Sequence, residues 1–62
     1  MKNEIILKTT QNYEKGEIIH LYDFEKLDHF FDGLHACYRI LCGNKYYYFI
    51  KSMTSIIEIN IN

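Results

Sequence analysis

Apolar residues along this chain fall into short runs and alternating stretches, separated by polar segments that contain glycine. Stretches rich in β-branched and aromatic residues occupy positions 4–9 (EIILKT) and 17–22 (EIIHLY), on either side of a polar segment that ends at Gly16. β-branched and aromatic side chains fit the pleated surface of a sheet, and a polar loop ending in glycine can reverse the chain. The pattern predicts a β-hairpin.

The period changes between residues 23 and 32 (DFEKLDHFFD), where apolar positions recur every three or four residues. These positions are Phe24, Leu27, Phe30, Phe31 and, just beyond the segment, Leu34. Such spacing is typical of one face of an α-helix. Asp23 suits an N-cap, and Gly33 suits the left-handed residue that often ends a helix. We therefore expect one helix over residues 23–32.

The strongest local signal is the pair of segments 35–42 (HACYRILC) and 45–52 (KYYYFIKS) around Gly43-Asn44, a dipeptide that suits a two-residue hairpin turn. That turn sets a register with three opposed pairs: Cys42 with Lys45, Ile40 with Tyr47, and Tyr38 with Phe49. A last strand is expected over residues 54–61. There Ile57, Ile59 and Ile61 would share one face, in a pattern interrupted by Ile56.

The elements predict a single α+β domain over residues 1–62, with the order β-β-α-β-β-β. The simplest arrangement is an antiparallel sheet of four or five strands, with the helix packed on one face through Leu27, Phe30 and Phe31. The alternative is a small, strongly bent β-barrel with one helix.

Three consecutive tyrosines cannot all face the same way on a strand, because successive side chains alternate between the two faces. In the expected register Tyr47 faces the core, while Tyr46 and Tyr48 face outward. The outer surface of the hairpin then carries five candidate binding residues: Arg39, Leu41, Tyr46, Tyr48 and Ile50. Tyrosine and arginine are enriched where proteins bind one another. Two alternatives are a tyrosine ladder that only stabilises the hairpin, and a platform on which nucleic-acid bases stack.

Charge adds little, since seven basic and eight acidic side chains leave a net charge of −1. Arg39 is the only fixed cation expected on the tyrosine face, because the register turns Lys45 and Lys51 to the other side. Nucleic-acid binding is therefore disfavoured, although it stays open. No run approaches the ~20 apolar residues of a membrane span, so no membrane partner is predicted. Cys37 and Cys42 would face opposite ways on one strand and stay reduced, which predicts a cytoplasmic protein.

Candidate catalytic and metal-binding groups do not converge. On the expected helix Glu25, Asp28, His29 and Asp32 would share one side, but no second set of ligands faces them. His35 and Cys37 share a strand face, yet two ligands do not make a zinc site. The sequence has neither a glycine-rich phosphate loop nor a nucleophile-elbow motif. We expect no enzyme activity, no metal and no cofactor.

Together these observations predict a small protein-binding module, an inhibitor or modulator of a larger partner. Ile, Lys, Asn and Tyr, which AT-rich codons encode, make up 27 of the 62 residues. Short chains with this bias and no catalytic motif are associated with phage and mobile-element products that inhibit host proteins. The alternatives are single-stranded nucleic-acid binding through the tyrosine and arginine face, and a structural homodimer.

Overall fold

The structure, a computed structural model, describes residues 3–11 and 14–61, with side chains for 3–10 and 16–61. These described residues form six strands and one short 3-10 turn. These elements are β1 (Glu4–Gln11), β2 (Glu14–Tyr22), β3 (Phe24–Asp32), β4 (His35–Cys42), β5 (Lys45–Ile50), the 3-10 turn (Lys51–Met53) and β6 (Thr54–Asn60).

The strands form two antiparallel sheets of three strands each. Sheet A has the order β2-β1-β6, and sheet B has the order β3-β4-β5. Consecutive strands pair with one another within each sheet, and β6 returns to pair with β1. The first hairpin is confirmed, with longer strands than expected. Of its predicted loop, Asn12 and Tyr13 lie outside the described residues.

The expected α+β arrangement is wrong, because the segment predicted as a helix is strand β3. Among the described residues the only helical element is the 3-10 turn at Lys51–Met53. The alternative barrel with one helix fails for the same reason. Sheet A takes the place that the helix was expected to fill, and it packs Ile5, Leu7 and Leu21 against the inner residues of sheet B.

A β-bulge explains why β3 has a helix-like spacing of apolar residues. Phe24 opposes Cys42 and Leu27 opposes Ile40, and the register shifts by one residue between Phe24 and Lys26. The extra residue puts positions i and i+3 on the same face of a strand, which is also the spacing of a helical face. Beyond the bulge the ordinary alternation resumes, so Phe30 and Phe31 face opposite ways.

A second bulge has the same effect in β6. Leu7 opposes Ile56 and Ile5 opposes Ile59, with a register shift between these pairs. Ile56 and Ile59 therefore face the same side, and Ile56 packs against the core. The prediction that Ile57, Ile59 and Ile61 form one face interrupted by Ile56 is wrong in register, although the strand itself is confirmed.

Two hairpins of sheet B turn through two-residue loops that begin with glycine. Gly33 and Gly43 have φ angles of 63° and 61°, in the left-handed region that glycine adopts without strain. The expected register of β4 and β5 is confirmed, with Cys42 opposite Lys45, Ile40 opposite Tyr47 and Tyr38 opposite Phe49. Gly33 was expected to end a helix. Instead it begins the β3-β4 turn. The end of a helix and this type of turn both need a residue with positive φ, so the same glycine fits either structure.

The chain passes from sheet A to sheet B at Asp23, which has a φ of 59°. Aspartate tolerates this left-handed conformation better than most side chains do. Backbone groups on both sides of this corner form hydrogen bonds. The Phe24 amide donates to the Asn3 carbonyl at 3.2 Å, and the Gly43 amide donates to the Asp23 carbonyl at 2.9 Å. The corner thus ties the start of β1 to the turn between β4 and β5.

The core lies between the two sheets and is small. Its buried members are Ile5, Leu7, Leu21, Phe24, Ile40 and Cys42, with Tyr47 and Phe49 among the partly buried residues around them. Burial of a side chain such as Ile40 contributes about 1.5–3 kcal/mol. The Cα extents are 36 × 26 × 15 Å. The short dimension suits two stacked sheets about 10 Å apart, and no element of the described residues forms a third layer over their outer faces.

We expect Asp23→Val to lower the free energy of unfolding by about 1–2 kcal/mol, because a β-branched residue is strained at positive φ. Asp23→Asn is the matched control, and we expect it to stay within about 0.5 kcal/mol of the wild type. Urea unfolding followed by circular dichroism measures both variants. Equal midpoints for the two variants would show that the left-handed corner does not constrain the fold.

Candidate functional site

The five candidate binding residues share the face of sheet B that points away from sheet A. Arg39 opposes Tyr48, Leu41 opposes Tyr46 and Cys37 opposes Ile50, so all of these lie on one side of β4 and β5. We call this side the outer face. Strand β3 completes it with Lys26, Asp28, Phe30 and Asp32.

The outward placement of two of the three consecutive tyrosines is confirmed. The exposed fraction is 46% for Tyr46 and 55% for Tyr48, whereas Tyr47 is partly buried against the core. Lys45 and Lys51 are turned to the inner side, as expected. Their Nζ atoms lie 5.1 Å from the ring centroid of Tyr47 and 5.3 Å from that of Tyr38, respectively.

Arg39 stands in the middle of the outer face and is held on two sides. One terminal nitrogen donates a hydrogen bond to Asp28 Oδ2 at 3.0 Å. The guanidinium carbon lies 5.2 Å from the ring centroid of Tyr46, within cation–π distance. Its Nε is shielded from solvent and has no hydrogen-bond partner among the described residues. These contacts fix the direction of the only arginine in the chain.

The Asp28 carboxylate lies between two cations, since Lys26 Nζ is 3.7 Å from the same oxygen that Arg39 reaches. The hydrogen bond from Arg39 is the main cause that lowers the pKa of Asp28 below its ordinary value of 3.8, and the charge of Lys26 adds to it. The same hydrogen bond raises the pKa of Arg39. Asp28 is therefore ionised at neutral pH, and it neutralises part of the positive charge of the face.

Phe30 and Tyr48 meet across the central strand of the outer face. Their ring centroids are 5.2 Å apart and their planes are inclined by 70°, an edge-to-face arrangement that aromatic pairs favour. Cys37 lies on β4 between Phe30 and Ile50 in the register, and it is only 4% exposed. The ring pair and Ile50 thus bury Cys37 outside the main core.

An open cleft of about 430 Å³ lies beside this ring pair. It is lined by Phe30, Asp32, Cys37, Tyr48, Phe49 and Ile50. A volume of this size is within the range of about 300–1,000 Å³ that ligand sites occupy. A second cleft of about 320 Å³ also uses Tyr48, Phe49 and Ile50, together with residues of sheet A such as Thr9 and Ile19. The end of β5 therefore contributes to both clefts.

Sequence reasoning missed Asp28, Phe30 and Asp32 as parts of this surface, because it put them on a helix. The strand also separates the acidic and imidazole groups expected on one side, since Asp28 and Asp32 face outward while His29 packs its ring against Tyr38 on the inner side. The available signal was short, because polar and apolar residues alternate only from Lys26 to Asp28, and the adjacent Phe30 and Phe31 break the pattern. The bulge before it obscured the signal.

Exposure alone does not single out the outer face. Other large apolar side chains are also exposed, namely Ile18, Tyr22, Phe31, Leu34, Ile57, Ile59 and Ile61. They are spread over both sheets and over the β3-β4 turn. The outer face differs from them because it combines a fixed arginine, two carboxylates and an edge-to-face aromatic pair. The aromatic pair and one of the carboxylates, Asp32, line a cleft.

The thiols and acidic groups suggest no further chemistry. Both cysteines are free, as expected from their opposite faces on β4, and both are buried. Burial is the main cause that raises the pKa of Cys42, and the charges of Asp23 and Glu25 raise it further, which disfavours the reactive thiolate. Within residues 3–11 and 14–61 no three histidine, cysteine or acidic side chains group as metal ligands would.

Comparison with protein-family models, with curated proteins and with solved structures finds no significant match. In the part of the chain that the structure describes, no helix is long and apolar enough to cross a membrane.

We expect the pKa of Asp28, followed by NMR of its carboxyl group, to rise towards 3.8 in Arg39→Met, because the hydrogen bond that stabilises the carboxylate is lost. Lys26→Met should raise it less. In the wild type the pKa is lower in the folded chain than in the unfolded one, so the Arg39 contact stabilises the fold above pH 3.8 and is lost as the pH falls below that value. An unchanged pKa in Arg39→Met would rule out the pairing.

Proposed function

We propose that this protein binds another protein through the outer face of sheet B and thereby inhibits or modulates that partner. The observation that carries the proposal is the arrangement around Arg39. The only arginine of the chain stands among half-exposed tyrosines and is already held by Asp28 and Tyr46. Tyrosine and arginine supply much of the energy at protein interfaces, where they combine contact area with directed hydrogen bonds.

Preorganisation supports the proposal. A long side chain that becomes ordered only on binding costs about 0.5–1.5 kcal/mol. Arg39 avoids part of this cost, because its guanidinium is already fixed in the free chain. The Phe30 and Tyr48 rings also support each other across β4. The face therefore presents a defined shape before any partner arrives.

The broad side of the molecule is also large enough for a protein interface. The broad side measures 36 by 26 Å between Cα extremes, and a standard interface buries about 800 Å² on each partner. Most of one face is needed for such a contact. A 62-residue chain that uses one whole face for binding would inhibit or modulate its partner by covering part of the partner's surface. We place this function in the cytoplasm, where free thiols such as Cys37 and Cys42 persist.

Nucleic-acid binding gains no comparable support. Strand β3 adds Lys26 to the outer face, but it also adds Asp28 and Asp32, so fixed positive and negative charges balance there. Arg39 is engaged by a carboxylate at 3.0 Å. A surface that binds phosphates needs an excess of unpaired cations. Self-association through the outer face remains the main competitor of the proposal.

We expect Tyr48→Ala to abolish capture of one stoichiometric protein from a host lysate while leaving the circular dichroism spectrum unchanged. The reason is the loss of exposed ring area and of the support that Tyr48 gives to Phe30. Tyr22→Ala is the matched control, since Tyr22 is 58% exposed against 55% for Tyr48 but lies on sheet A. Equal loss of capture in both variants would contradict a site on the outer face.

Light scattering after size exclusion, over a concentration series, separates binding from self-association. We expect the wild type to remain a monomer, with its outer face free in solution. A dimer that Tyr48→Ala converts to a monomer would assign the face to a second copy of this chain and overturn the proposal.

A further inference from the structure

The cleft beside Phe30 and Tyr48 carries a single charge. Among its lining residues Asp32 is the only acidic or basic side chain, and the rest of the lining is aromatic, aliphatic or thiol. A carboxylate at the edge of an apolar cleft attracts a cation. It disfavours an anion, which would enter the cleft without a positive partner.

The aromatic walls favour the same kind of group. Faces of aromatic rings carry negative potential and attract ammonium and guanidinium ions at distances up to about 6 Å. Phe30 and Tyr48 are inclined by 70°, so their planes meet in a corner and do not stack into a flat surface. A cation placed in that corner can contact both rings while an apolar chain lies along Ile50.

Among the side chains that the structure describes, no lysine or arginine occupies the cleft. Arg39 is bonded to Asp28 and packed on Tyr46, and it is not among the lining residues. Lys51 follows Ile50 directly, but its Nζ lies over the ring of Tyr38 on the inner side of sheet B. Asp32 forms no ion pair with a lysine or arginine in the described part of the chain. The described lysine and arginine side chains therefore leave the Asp32 carboxylate without an ion-pair partner.

We propose that this cleft binds an alkylammonium group, the head of a lysine side chain or of its methylated forms, carried by the partner protein. The inference rests on the proposed function, because it assigns one contact of the same face. Both parts of a lysine side chain suit the cleft. Its methylene stem would lie against Ile50, and its charged head would lie between the rings and Asp32.

The test uses choline, a quaternary ammonium, and 3,3-dimethylbutan-1-ol, its uncharged isostere of nearly the same shape. Amide and ring NMR signals of wild-type protein are followed as each compound is added. We expect choline to shift signals of Phe30, Tyr48 and Asp32, and to bind roughly two- to fivefold more tightly than the isostere, as cation–π contacts at exposed sites would give. Equal binding of the two compounds, or no shift at the cleft, would overturn the proposal.

Variants identify the groups responsible. Phe30→Leu and Tyr48→Leu keep apolar contact but remove a ring, so each should weaken choline and leave the isostere almost unchanged. Asp32→Asn should do the same by removing the charge. Tyr22→Leu on sheet A is the control that should change neither compound. If Tyr22→Leu weakens choline as much as Tyr48→Leu does, the cation binds elsewhere and the proposal fails.

Two further comparisons complete the test. Tighter binding of n-butylammonium than of choline would favour an unmethylated lysine, and the reverse order would favour a methylated one. Both results support an alkylammonium site. If Tyr48 is needed to capture a partner but choline does not bind, the binding function stands and the cation assignment fails. If choline binds but no partner depends on Tyr48, the cleft is a cation site and the proposed protein-binding function fails.

Discussion

The fold depends on one backbone constraint, the left-handed corner at Asp23. There the chain leaves sheet A and enters sheet B after a single residue, so β2 and β3 are two arms of one sharply bent strand. On one side of the corner the Phe24 amide donates to the Asn3 carbonyl, and on the other the Asp23 carbonyl accepts from the Gly43 amide in the β4-β5 turn. A buried backbone group without a partner costs free energy comparable to a lost hydrogen bond, so these contacts are what allow the bend. Once the strand is bent, the inner residues of the two sheets face each other and form the core.

The described residues form two layers, and this arrangement leaves one face of each sheet open. Each sheet has one covered face and one open face. On the open face of sheet B, aromatic and aliphatic side chains lie around Arg39, and polar contacts hold the arginine in place. The opposite face of the same sheet carries Tyr47 and Phe49 into the core. Strand alternation therefore couples core packing to the outer surface, since a one-residue shift in register would exchange the two sets of residues.

Misassignment of β3 has a physical cause that recurs in β6. A bulge inserts one residue into a strand, which brings positions three apart onto one face, and a helix produces the same spacing. Phe24 and Leu27 show this in β3, and Ile56 and Ile59 show it in β6. The wrong assignment of β3 also affected the predicted binding residues. Arg39, Leu41, Tyr46, Tyr48 and Ile50 were placed together correctly, because a two-residue turn sets their register, whereas Asp28, Phe30 and Asp32 were missed because they lie on β3.

Local chemistry in the sequence was enough to determine the hairpins and the direction of the tyrosines. A glycine followed by one residue between two apolar strands specifies both the turn and the pairing, and alternation then assigns Tyr46, Tyr47 and Tyr48 to their faces. Only the tertiary structure decided that β3 is a strand, that a second sheet in place of a helix covers the inner face, and that Phe30 and Asp32 join Tyr48 around a cleft. These features depend on contacts between residues far apart in the chain. A bulge and a helical turn share the same local spacing, so only pairing with β4 and packing against sheet A separate the two.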